Sequence, residues 1–180
     1  MKTYIVLVRG INVGGKHSLP MKELVAILEE LGAQNVRTYI QSGNVLLDSA
    51  EIDTGKLCKA IGSAIKNSRG FEPHILLLTL AEMEKVVAKN PYPEAARDHK
   101  TLHAGFLDCE PPKPDLKKLE GLQTETERFH LSGKVFYLHT PDGLGRSKLA
   151  AGAEKALGVP ATFRNWRTVC KLLEVAGDTT

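Results

Sequence analysis

The residues best suited to chemistry lie in a glycine-rich segment near the N-terminus, Gly10-Ile11-Asn12-Val13-Gly14-Gly15-Lys16. As a motif, Gly10, four residues, Gly15 and Lys16 satisfy most of a phosphate-binding P-loop, in which backbone amides cradle phosphates and the lysine reaches them. The next positions break it. His17 stands where Ser or Thr would hold Mg²⁺, Ser18 comes one residue late, and Pro20 delays the helix so that Lys16 stays in the loop. What survives is a weaker chemistry, in which successive amides, a helix N-terminus and the cations Arg9 and Lys16 gather an anion. The competing reading is that Gly14, Gly15 and an Asn12 tolerant of left-handed geometry only let the backbone turn sharply.

Two further loops carry polar groups. In a βαββαβ domain the first and second strands run parallel, so the first strand–helix loop and the first hairpin tip share one end of the sheet. That places Gln41, Ser42 and Asn44 beside Arg9, Asn12 and Lys16, and two polar loops at one edge make a better pocket than either alone. Polar, glycine-bearing hairpin tips are nevertheless ordinary. The second cluster is Asp142-Gly143-Leu144-Gly145-Arg146-Ser147-Lys148. Here Ser147 can cap a helix, and the same topology brings Arg164 and Asn165 toward Arg146 and Lys148. A capped helix with solvated basic side chains is the plain alternative.

The elements that must position these groups follow from periodicity. Tyr4–Arg9 reads as a buried strand, and Ser18 can cap a helix bearing Met21, Leu24, Val25, Leu28 and Leu31, stopped by Gly32. Val36–Gln41 and Val45–Asp48 form a hairpin across Ser42-Gly43-Asn44. A second helix carries Leu57, Cys58, Ile61, Ala64 and Ile65, and Pro73–Thr79 completes a βαββαβ set. Thr79 and Glu82 give a capping box for a connecting helix that Asn90-Pro91-Tyr92-Pro93 breaks. The order then repeats: strand Thr101–Leu107, helix Leu116–Leu122, hairpin Arg128–Leu131 with Val135–Thr140, helix Ser147–Leu157, strand Ala161–Arg164. A last helix, capped by Asn165, buries Trp166, Val169, Cys170 and Leu173. The expected architecture is α+β, two ferredoxin-like βαββαβ halves in tandem. The first spans residues 1–90 with the connecting helix, the second 101–180 with the C-terminal helix, and the boundary lies in Asn90–Lys100.

Composition bounds the rest. Of 180 residues, 42% are hydrophobic and 25% charged, which is globular usage rather than disorder. A net charge of +3 permits an anionic partner without demanding one. Cys58, Cys109 and Cys170 are odd in number and suit neither a disulfide framework nor a zinc site, so reduced thiols and a cytoplasmic location are expected. No stretch approaches the roughly 20 apolar residues of a membrane span. His99 and His103 stand four apart on a strand, where that spacing does not converge, and no carboxylate or cysteine completes a metal set; no metal and no cofactor are expected. His130 and His139, on the two strands of the second hairpin, could pair across it.

Three segments also carry a resemblance. Arg9–Lys16 with Leu19-Pro20-Met21, Tyr39-Ile40-Gln41-Ser42-Gly43-Asn44-Val45 and Gly143-Leu144-Gly145-Arg146-Ser147-Lys148-Leu149, together with Thr162-Phe163-Arg164-Asn165-Trp166, resemble the bacterial domain-of-unknown-function 1697 family over essentially the whole chain. At position 17 that family more often carries Asn, where this chain has His17. The resemblance implies an α+β fold with ferredoxin-like elements and implies no activity.

Three functions then compete. The first is a binding module for a phosphate-bearing ligand, a nucleotide or nucleic acid, through Arg9, Asn12, Gly14, Gly15, Lys16, Gln41, Ser42 and Asn44, with Arg146, Ser147, Lys148, Arg164 and Asn165 in the second half. The second is a small enzyme on an anionic metabolite, with Lys16 or His17 for acid–base work and Asn12, Gln41 and Ser42 orienting the substrate. The third is a structural or interaction protein whose loops only shape the fold.

Overall fold

A computed structural model describes residues 1–177. The chain forms β1 Lys2–Arg9, α1 Met21–Glu30, β2 Gln34–Tyr39, β3 Asn44–Ser49, α2 Thr54–Arg69, β4 His74–Thr79 and α3 Leu80–Ala88. After a short turn at Ala95–Arg97 come β5 Leu102–Leu107, α4 Leu116–Leu122, β6 Arg128–Ser132, β7 Val135–His139, α5 Lys148–Leu157, β8 Ala161–Asn165 and α6 Trp166–Gly177. The class is α+β, with two four-stranded antiparallel sheets ordered β2-β3-β1-β4 and β6-β7-β5-β8. Two compact units result: Met1–Glu84 together with the chain from Leu172, and Lys85–Lys171. The sequence alone set the division at 90–100 and kept the last helix whole.

In the first unit β1 lies between β3 and β4, so both its edges are hydrogen-bonded, and residues on both its faces are buried, in keeping with its nearly continuous apolar run. Tyr4, Val6 and Val8 face α1 and α2, packing with Leu24, Leu28, Val45, Leu47, Ile61 and Ile65. Ile5 and Leu7 on the other face are fully buried too. Asp53 caps α2 by accepting the Lys56 amide at 3.1 Å, and Gly70 ends it in left-handed geometry. The capping box at α3 is present: Glu82 accepts the Thr79 amide at 2.7 Å, and Thr79 Oγ1 accepts the Glu82 amide at 3.2 Å.

Two expectations in this unit need correction. Ser18 does not cap α1; Pro20 occupies that position and no side chain caps the helix. The first hairpin also turns earlier than expected, across Ile40–Gly43, because Ile40 leaves the strand with φ 51° and Asn44 is already in β3.

In the second unit, Phe136, Leu138, Leu107, Ala161 and Phe163 pack against Leu119 of α4 and Leu149, Ala153 and Leu157 of α5. Asp115 caps α4, accepting the Lys118 amide at 3.0 Å, and Ser147 caps α5, accepting the Ala150 amide at 2.9 Å. Asn165 caps α6, accepting the Thr168 amide at 2.9 Å. On the opposite face Tyr137 donates to the Val86 carbonyl at 2.8 Å and lies 6.5 Å from the buried Trp166 ring. His130 and His139 do not pair: the register sets His130 against Tyr137 and His139 against Arg128. Cys58, Cys109 and Cys170 form no disulfide. Among the described residues no helix is long and apolar enough to cross a membrane.

Candidate functional site

The end of the first sheet where β1 and β2 finish is built from two loops. Val13-Gly14-Gly15-Lys16 is a two-residue β-turn: the Lys16 amide donates to the Val13 carbonyl at 3.2 Å, and Gly14 and Gly15 take φ 61° and 72°. Positive φ at both central positions is the type I′ pattern, which glycine adopts without steric cost. The glycine segment is therefore a miniature hairpin, and it is separated from α1 by the stretch from His17 to Pro20. The Gly14 and Gly15 amides meet no acceptor among the described residues, and both glycines are exposed. They present donors outward, although consecutive left-handed residues do not make the concave alternation of an anion nest.

Asn12 joins this loop to the second. Its side-chain Nδ2 donates to the Leu19 carbonyl at 2.8 Å and to the Gln41 carbonyl at 2.9 Å, and its Oδ1 accepts the Leu19 amide at 2.8 Å. Both amide protons are spent on the backbone, and φ 56° at Asn12 suits a residue that tolerates left-handed geometry. The hairpin tip is also tied to β1, since the Val8 amide donates to the Gly43 carbonyl at 2.8 Å. A Cβ at Gly43 would lie 2.8 Å from both Val8 Cβ and Val8 O, so only glycine lets the tip sit this close. Asn44 is fully buried and donates to the Tyr39 carbonyl at 3.2 Å and Ser42 Oγ at 2.8 Å, fixing the turn from inside.

The surface so assembled exposes Val13, Gly14, Gly15, Lys16, Ile40 and Gln41, with Arg9 and Ser42 half-buried at its margin. Lys16 makes no ion pair among the described residues. No acidic residue occurs from Arg9 to Lys22 or from Gln34 to Leu47, whereas Arg9, Lys16, Lys22 and Arg37 are cationic. The two loops themselves therefore carry cations and no carboxylate. His17 stacks on Phe71 with ring centroids 4.5 Å apart and sits 3.3 Å from the Gly10 carbonyl. Its φ of 52° lies in the left-handed region, which His adopts more readily than most residues other than glycine. Ile40 is different. A β-branched residue at φ 51° is strained, at a cost of roughly 1–3 kcal/mol, and the residue is 52% exposed.

The second cluster assembles less completely. Arg146 and Lys148 are exposed around Ser147, which is buried and occupied as the α5 cap. Arg164 shares their end of the sheet, but strand alternation puts its side chain on the face of Ala104 and Tyr137, opposite the α5 face. Burial there disfavours its charged form, and Nη1 donates to the Phe163 carbonyl at 3.0 Å. Asn165 is committed to the α6 cap.

A group unforeseen from the sequence lies elsewhere in this unit. The Arg128 guanidinium sits 4.8 Å over the Tyr92 ring, donates to Glu94 Oε1 at 2.7 Å and lies 3.4 Å from His139 Nδ1. Desolvation and then the Arg128 charge hold His139 below the usual histidine pKa, with Glu94 and Asp98 opposing. The Glu94 carboxyl is held low by its backbone hydrogen bond and then by Arg128. The sequence alone did not pair Arg128 with His139, and Glu94 stands 34 residues from Arg128. The group fastens the segment after α3 to the second sheet.

These features define an α+β protein with two four-stranded antiparallel sheets and a basic, two-loop surface at the end of the first. The chain belongs to the family of proteins of unknown function DUF1697, whose model matches residues 1–137. It is also similar to the conserved bacterial protein SP0830 from Streptococcus pneumoniae, at 26% identity and a TM-score of 0.69, covering 97% of this chain and 98% of that one. No curated protein matches it.

Proposed function

We propose that the protein is a cytoplasmic binding module for a phosphate-bearing ligand, a nucleotide or nucleic acid, taken at the end of the first sheet. The observation that carries this reading is the Asn12–Gln41 bond, which joins two loops that carry cations and no acidic residue of their own. Outward Gly14 and Gly15 amides and an unpaired lysine supply donors and charge for phosphate oxygens. Arg146 and Lys148 form a subsidiary basic patch. We read each unit's sheet as a ferredoxin-like βαββαβ arrangement arising by tandem duplication, which the repeated strand permutation supports. Fold alone does not name a ligand.

The test is a thermal-shift screen at low salt against phosphate, nucleotides, sugar phosphates and short DNA and RNA oligomers. A ligand at about one hundred times its Kd stabilises by roughly 2.7 kcal/mol, or about 5–10 °C for a chain of this size. Lys16→Ala removes the shift and Arg146→Ala reduces it at most partly. Absence of any shift with the unsubstituted protein counts against the reading.

A further inference from the structure

Two aliphatic side chains stand out on the basic surface. Val13 is 66% exposed at the base of the miniature hairpin's turn, and Ile40 is 52% exposed at the first position of the β2–β3 turn. They flank the bond that joins the loops, because Asn12 and Gln41 are their immediate chain neighbours. Ile40 occupies a left-handed backbone position that Gly or Asn would fill without strain. A strained, exposed isoleucine beside an exposed valine does nothing for the fold that a polar turn residue would not do better.

We infer that Val13 and Ile40 contact unstacked bases of a single-stranded nucleic acid whose backbone lies along Lys16 and the exposed glycine amides. This rests on the phosphate-site reading above and narrows it. Charge complementarity selects the partner: the apolar pair sits in a rim that carries cations and no carboxylate from Arg9 to Lys22 and from Gln34 to Leu47. A polyanion that also offers flat apolar surfaces fits both halves of that pattern. Duplexes keep their bases stacked and out of reach of such tips, whereas single strands splay them. A mononucleotide is held by a concave pocket. The residues here are on projecting turns, and two grooves of this unit, of about 460 and 370 Å³, are lined by other residues, around Glu23 and Asn67 and around Leu31 and Lys56. A strand gains affinity instead from successive weak contacts, phosphate by phosphate and base by base.

The experiment measures Kd at low salt for a short single-stranded oligomer, its duplex, an abasic chain of equal length, a mononucleotide and inorganic phosphate. The protein is used unsubstituted and as Ile40→Asn, Val13→Ser and Lys16→Ala. The single strand binds best of the five, and Ile40→Asn weakens it about tenfold while leaving the abasic chain unchanged. Lys16→Ala weakens both. The melting temperature of Ile40→Asn equals or exceeds that of the unsubstituted protein, which separates lost contact from lost folding. Equal affinity for single-stranded and abasic chains, or no effect of Ile40→Asn and Val13→Ser, overturns the base contact and leaves the phosphate site standing. Binding of phosphate or mononucleotide without the oligomer does the same. No binding by any of the five removes the phosphate site itself, and this inference with it.

Discussion

Tyr137 shows at the scale of one residue how environment redefines a side chain. Its hydroxyl is buried, donates to the Val86 carbonyl at 2.8 Å, and is pushed up by desolvation to about 12. An unfolded tyrosine titrates at about 10. Because the folded pKa is raised, the folded state disfavours the phenolate. This contribution to stability is complete below pH 10 and is lost as pH rises from 10 through 12. Tyr137→Phe should lose about 1 kcal/mol at neutral pH, the usual worth of one such bond. It should also show a shallower decline of stability between pH 10 and 12 in urea melts. Parallel declines for both proteins would mean that another group governs alkaline unfolding.

At the scale of elements, the molecule depends on where turns are tied down. Asn12 makes three side-chain bonds to backbone groups of two different segments. Asn12→Ala strands the Leu19 amide and carbonyl, and Leu19 itself is fully buried. The expected loss is about 1–3 kcal/mol, measured by chemical denaturation, together with faster proteolytic cleavage in the segment 10–18. Elements whose ends are fixed by neighbours three residues away were legible in the sequence. Thr79 with Glu82, Ser147 with Ala150 and Asn165 with Thr168 are all such pairs. Leu116–Leu122 appears with its expected bounds. The end of β2 was not legible, because nothing about an isoleucine announces a left-handed φ, and its strand preference argues the other way. Ser18 misled because it is a good cap type one step from a proline that takes the position. The meeting of the glycine loop with the hairpin tip could be placed from topology, but not the Asn12 amide that fastens it. The stack of Tyr92, Arg128, Glu94 and His139 needs partners tens of residues apart, which periodicity does not encode.

The whole molecule repeats one strand permutation in two compact units, and the candidate surface belongs to the first alone. The repeat is in topology rather than chemistry. The first sheet's end carries exposed glycine amides and a bare lysine, while in the second Ser147 and Asn165 are absorbed by caps and Arg164 is turned to the other face, leaving Arg146 and Lys148 exposed. That asymmetry places the main effect of Lys16→Ala, and only a minor one of Arg146→Ala, on ligand binding. It also gives the chain a built-in optical label. Trp166 is the sole tryptophan and lies in the second unit, within energy-transfer range of Tyr137. Its emission weighs that unit most, although α6 continues into the first unit from Leu172, whereas far-ultraviolet dichroism weighs both. Superimposable melting curves from the two signals would identify a single cooperative transition. An emission curve displaced from the dichroism would show the units melting in turn, and ligand added to such a sample should move the dichroism midpoint more than the emission midpoint.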